Sequence, residues 1–268
     1  MILLHVLAAL AYALAAWTCW PRQPAEPRAA ARAQLLVPLG LALHAAAIGV
    51  SLVTPEGIDL SLPHALSLVA ALTVLVAWSS GLLRALPAIG AVVLPVAAIA
   101  VLLPALTQDP HRFAYASEPW ATVHIAFALL AYAFFIVAAA LALALTGLER
   151  RLHHGLADPD LGAGASPPPL LTLERWMFML IGAGFVLLTL TLASGALFSE
   201  ELFGIAFRFN HKVIFSVAAW LVFGALLLGR WRLGWRGRRA LRWILVGTGL
   251  LILAYIGYKF VLQVVLGR

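Results

Sequence analysis

The chain has 268 residues, of which 63% are apolar and only 11% charged. A soluble domain is about 45–50% apolar and about 25% charged, so these proportions exclude a water-soluble globular enzyme, a disulfide-rich secreted module and a disordered chain. A bilayer is the solvent that suits this composition. The net charge of +7 would suit nucleic acid only if the basic residues formed a solvated patch.

Eight apolar segments follow in chain order, at 2–20, 34–54, 62–80, 88–106, 121–146, 175–198, 212–229 and 241–265. Each is long enough to cross a bilayer as a helix, and none alternates as the strands of a membrane barrel do. The expected fold is therefore all-α: a polytopic helical membrane protein of about eight transmembrane helices, a single integral-membrane domain over 1–268. The first segment lacks a basic flank and a clear cleavage site, and it reads as a retained helix.

Thirteen of the eighteen Lys and Arg residues fall in the odd-numbered loops. The positive-inside rule assigns those loops to the cytoplasm and both termini to the outer, periplasmic side. Loop 147–174, with Gly162, Gly164 and Pro167-Pro168-Pro169, reads as a cytoplasmic linker. The run Arg230, Arg232, Arg236, Arg238, Arg239 and Arg242 adjoins two spans. It reads as an anchor at anionic membrane lipid and not as a nucleic-acid surface. The lone Cys19 excludes a disulfide framework and any cysteine-based zinc or iron–sulfur centre.

Eight histidines are the notable polar residues. His5, His64, His111, His124 and His211 map to outer loops or outer helix ends, and His44 lies midway along the second span. Histidine in a membrane helix is costly unless it is paired, ligating or facing water. His124 falls about one turn into the fifth span, after a helix start that Ser117 would cap and Pro119 would suit. His211 opens the seventh span, with Asn210 as its expected cap. Helix N-termini favour the neutral imidazole, which is the form that ligates metal. Each histidine serves equally as a hydrogen-bonding group at the interface, and His44 as a buried hydrogen-bond partner or a second ligand.

The stretch 198–209 places Phe198, Leu202, Ile205 and Phe209 at helical spacing opposite Glu200, Glu201 and Arg208, the pattern of a short amphipathic segment on the outer surface. Such a segment would anchor at the interface or cover a flat apolar ligand held between His124 and His211. Arg208 and Lys212 would then meet that ligand's acidic groups. Axial imidazoles for iron, an apolar cover and cations for two carboxylates together suit heme. Zinc or copper on two histidines remains the alternative, although such sites usually add a carboxylate or thiolate.

Several segments carry a family resemblance. They include Trp120-Ala121-Thr122-Val123-His124-Ile125, Tyr132-Ala133-Phe134, Asn210-His211-Lys212-Val213-Ile214-Phe215-Ser216, Gly229-Arg230-Trp231-Arg232 and Ala254-Tyr255-Ile256-Gly257. With these, and with His44-Ala45 and Gly57-Ile58-Asp59-Leu60 in the first half, the chain resembles the cytochrome c assembly protein family. These are the CcsA/CcmC heme-handling membrane proteins, and the likeness is greatest to the YpjD-like and HemX-like branch.

The resemblance implies a multi-pass protein of the bacterial cytoplasmic (inner) membrane that holds heme b near the outer face. It implies other cytochrome c maturation or membrane proteins as partners. It also implies His124, in the segment that opens at Trp120, as an axial iron ligand; with the reading of the residues above, His211 is the candidate for the second, and His44, Arg208, Lys212 and Trp120 are further candidate cofactor-binding residues. Segment 199–209 has Phe203, Phe207 and Phe209 where the assembly enzymes carry a Trp-Trp-Asp-type loop. No nucleophile–base pair or phosphate loop is visible, so the expected role is non-catalytic. The competing functional readings are a membrane transporter or ion-efflux accessory, and a scaffold docking through Ala138-Ala139-Ala140.

Overall fold

The computed structural model describes residues 2–20, 27–54, 57–106, 112–113, 119–153, 169–197 and 211–257. Helices α1 (Ile2–Thr18), α2 (Pro27–Leu52), α3 (Leu62–Ser79), α4 (Leu82–Ala85), α5 (Pro87–Ala100) and α6 (Leu103–Leu106) build the first half. The second half comprises α7 (Pro119–His153), α8 (Leu170–Leu197), α9 (His211–Leu233) and α10 (Gly237–Ile252), the last continued by a π-helical turn at Leu253–Gly257. Six of the apolar helical stretches have the length and hydropathy to cross a membrane. Counted with the shorter apolar α1 and with α10, the main helices of the described residues roughly match the eight segments expected from hydropathy.

Proline chemistry explains the segmentation of the fourth span. Pro87 opens α5, where its missing N–H costs nothing. Pro104 cannot donate to the Ala100 carbonyl, and its ring crowds that carbonyl. The helix accordingly ends at Ala100 and restarts at Leu103.

Between these helices lies one element that hydropathy did not anticipate, a three-stranded antiparallel sheet of β1 (Val53–Thr54), β2 (Gly57–Asp59) and β3 (Arg112–Phe113). Val53 pairs with Ile58, and Asp59 with Arg112. It links the loop after α2 to the loop after α6.

In the first half α1 packs on α2 and α5, and α3 on α2 and α5; in the second α7 packs on α8 and α10, and α9 on α8 and α10. The two halves meet along α7, which also contacts α3 and α5. Its buried positions alternate small and large: Ala131, Ala138 and Ala142 admit neighbouring helices closely, while Phe135 and Leu141 fill the space between them. Phe135 stacks on Phe223 of α9 with centroids 3.8 Å apart. The outside is apolar as well: Val92, Val96 and Ile99 of α5 are all more than half exposed, as residues facing lipid acyl chains are.

Linker 147–174 is shorter than expected, because α7 runs on to His153 and α8 begins at Leu170. Glu149, Arg150 and Arg151 are polar but helix-compatible, so the helix outlasts its apolar stretch. At the same end of the bundle Glu174 faces Arg230 at 3.8 Å and Arg236 at 3.7 Å, tying α8 to the α9–α10 connection.

Gly247 marks the closest approach of α9 and α10. A Cβ placed there would lie 2.7 Å from Cζ of Phe223, whose ring is already held by Phe135. Gly247→Ala is therefore expected to destabilise the protein by about 1–3 kcal/mol, the usual cost of overpacking. Gly249→Ala, with nothing within 4 Å, should leave the thermal midpoint in detergent unchanged or slightly higher.

Candidate functional site

Pro119 fixes the first turn of α7, and His124 follows one turn further along. The helix turns this imidazole inward, where it is only 9% exposed. It meets the final turns of α8, the helix that packs along α7 for much of its length. His124 Nδ1 lies 2.8 Å from Ser194 Oγ, and the Ser194 hydroxyl donates to the Thr191 carbonyl at 3.1 Å. The next residue, Gly195, lies flat against the ring, since a Cβ there would come within 3.2 Å of His124 Cε1. Ser194 and Gly195 together form a small polar seat for one edge of the imidazole.

The third side of the site comes from α9 and the end of α10. His211 begins α9 with its ring exposed, while the next residue, Lys212, is partly buried and within electrostatic range of His124. The Lys212 ammonium sits 5.7 Å from the ring centroid of Tyr255, on the π-helical turn. Tyr255 in turn meets the edge of Tyr132, with centroids 6.2 Å apart, and the Tyr132 hydroxyl donates to the Leu251 carbonyl at 2.6 Å. Tyr132 lies eight residues beyond His124, on the same face of α7. A partly buried cation over an aromatic face, beside an imidazole, is an arrangement able to receive an acidic group on an otherwise apolar ligand.

The sequence-derived candidates fall into three groups. His124 and Lys212 are brought together. His211 and Trp120 stand at the starts of α9 and α7, Trp120 with 59% of its surface exposed. Arg208 lies outside the described residues, as do the expected caps Ser117 and Asn210 and most of the amphipathic segment 198–209. Ser194, Tyr132 and Tyr255 had no role assigned from sequence. Tyr132 and Tyr255 stood out only as members of the segments that carry the family resemblance, and Ser194 only as a hydroxyl within an apolar span, which many membrane helices share.

His44 belongs to a second polar cluster, in the first half of the protein. Its Nδ1 is 3.3 Å from the Tyr12 hydroxyl and its Nε2 is 2.8 Å from Ser67 Oγ, so α1, α2 and α3 are joined through one imidazole. The ring is fully buried and both nitrogens are engaged. Nearby, His64 pairs with Asp59 at 3.3 Å and with Ser61 Oγ at 3.0 Å. His5 is buried within electrostatic range of both His44 and His64.

Among the described residues no three His, Cys, Asp or Glu side chains converge as a bare zinc or copper ion would require. A heme iron needs only one or two axial imidazoles, with the rest of the group held by apolar contacts and cations. The donor set around His124 fits that simpler demand.

Inner membrane protein YpjD of Escherichia coli K12 is 37% identical over 149 residues, which are 56% of this chain and 54% of that protein. An uncharacterized 28.8 kDa protein of Azospirillum brasilense is 38% identical over 148 residues, 55% of this chain and 54% of that protein. Cytochrome c biogenesis protein CcsA of Thermosynechococcus vestitus is 26% identical over 209 residues, 64% of this chain and 66% of that protein. The chain thus spans about half the length of the first of these relatives. No solved structure matches it significantly. The family described as "Cytochrome C assembly protein" matches residues 33–266, nearly the whole of a multi-pass helical chain, and this protein belongs to that family.

Proposed function

We propose that this chain is a non-catalytic, heme-handling protein of the bacterial inner membrane that takes part in cytochrome c assembly. It holds heme b near the outer face, with His124 as an axial ligand. The observation that carries the reading is the seat of His124: a buried imidazole at a membrane helix end, with its Nδ1 edge fixed by Ser194 and a cation, Lys212, close by. Membership of the cytochrome c assembly family supports the class of cargo, and the CcsA relative is by name a cytochrome c biogenesis protein. The name of the YpjD relative supports the inner membrane.

When bound, heme would supply a redox-active iron centre that a neutral imidazole can ligate. The chain's own groups divide the remaining work. His124 offers a ring nitrogen, and Lys212, with Tyr255 beneath its ammonium, receives a propionate. His211, exposed at the start of α9, serves as the second axial candidate, and Trp120 and Arg208 lie at the outer rim. Other membrane proteins of cytochrome c maturation are the partners this role requires. The bias of basic residues toward the opposite loops supports a periplasmic position for the site.

Protein produced with ample heme and purified in detergent should show a Soret band in both oxidation states. A pyridine hemochrome assay should give close to one heme b per chain. A folded, monodisperse but colourless preparation sinks the proposal and moves the transporter and scaffold readings ahead.

A further inference from the structure

We propose that Ser194 is a positioning residue that fixes the tautomer of His124, keeping the proton on Nδ1 and the lone pair on Nε2. The inference rests on the reading of His124 as the heme ligand, and adds which nitrogen faces the iron and what sets it.

Proton supply at Ser194 decides the tautomer. The Ser194 hydroxyl has one. Its two close polar neighbours are the Thr191 carbonyl oxygen, 3.1 Å away, and His124 Nδ1, 2.8 Å away. A carbonyl can only accept, so the Thr191 contact is a hydrogen bond only if Ser194 gives its proton there. The hydroxyl oxygen is then left as an acceptor toward the imidazole, and the shorter contact requires a proton on Nδ1. A neutral ring carries one N–H, which leaves Nε2 with the unshared pair.

The chain Nδ1–H to Oγ–H to carbonyl runs in one direction from α7 into the last turns of α8. Such an outer partner orients the ring and increases the donor strength of the opposite nitrogen, and its loss typically weakens metal affinity by about 10–100-fold. Gly195 completes the device, because a side chain there would press on Cε1 and turn the ring away from the hydroxyl.

The test begins without heme. Nitrogen-15 NMR of protein labelled at histidine, with His124 assigned by its absence in His124→Gln, reads the tautomer in the heme-free state. Wild type should show a protonated Nδ1 and an unprotonated Nε2. Ser194→Ala should lose that pattern, and Ser194→Thr, which retains the hydroxyl, should restore it. In heme-loaded samples Ser194→Ala should weaken heme retention about 10–100-fold and shift the iron–histidine stretching band, with Ser194→Thr again restoring both. A protonated Nε2 in wild type, or an unchanged tautomer in Ser194→Ala, overturns the inference. A wild-type protein without heme overturns the proposed function, while the tautomer result stands or falls on the nitrogen spectrum. If Ser194→Ala does not fold, Ser194→Cys, of similar size but a weak acceptor, takes its place: loss of the Nδ1–H pattern supports the inference and its retention overturns it.

Discussion

His124→Ala is expected to lose at least nine-tenths of its heme while keeping the fold. The variant removes the buried imidazole that α7 presents to the end of α8. Ser194 is not orphaned by the change, because its hydroxyl continues to donate to the Thr191 carbonyl within its own helix. The penalty for an unsatisfied buried group therefore falls away, and what remains is a modest cavity at a helix end. Helical content and the thermal midpoint of the heme-free protein should change little. Heme per chain by pyridine hemochrome should collapse, and imidazole added during reconstitution should restore part of the Soret absorbance. Heme retained at the wild-type level would remove His124 as a ligand. His211→Ala makes a useful companion. As second axial ligand its loss changes the spin state with heme still present, a spectrum distinct from the His124→Ala result.

The second large effect is expected at His44 and should appear in stability. This ring is a buried junction between Tyr12 on α1 and Ser67 on α3. In His44→Ala, Ser67 turns back to a carbonyl of its own helix. The Tyr12 hydroxyl has lost the partner it faced in the protein interior, at a cost of about 1–3 kcal/mol. The cavity adds to this, so an overall loss of about 3 kcal/mol is expected, measured as the shift in chemical or thermal unfolding in detergent. His44→Leu combined with Tyr12→Phe, which removes both polar partners at once, should recover much of it. Heme content should be that of wild type. An unchanged midpoint with lost heme would instead assign His44 to a cofactor.

Hydropathy resolved the large elements because a lipid-facing helix advertises itself along its whole length. The segment expected at 62–80 is Leu62–Ser79, and that expected at 212–229 lies within His211–Leu233. Ends with charged residues were harder to place. Arg238, Arg239 and Arg242 are already part of α10, which begins at Gly237, because arginine is a good helix former wherever its guanidinium reaches the surface. The short strands had no periodicity to read, being two or three residues each. Within the site, His124 was legible because an ionisable ring in an apolar span demands an explanation. Ser194, Tyr132 and Tyr255 were not. Their significance lies in partners 70, 119 and 123 residues away along the chain, which only the packing of α7 against α8 and α10 brings into contact.

The 35 residues of α7 have a consequence for the membrane surface. At 1.5 Å per residue the helix is about 52 Å long, whereas a bilayer with its headgroups is about 40–45 Å thick. Its antiparallel neighbour α8, with 28 residues, measures about 42 Å, a match to the full bilayer without steep tilt. Two helices packed side by side share their inclination, so α7 outruns α8 by about 10 Å in total. A helix that long does not fit within the headgroups without steep tilt, so its polar end reaches the aqueous boundary, where Glu149 lies against Gly237 of α10 and braces the helix end on its neighbour.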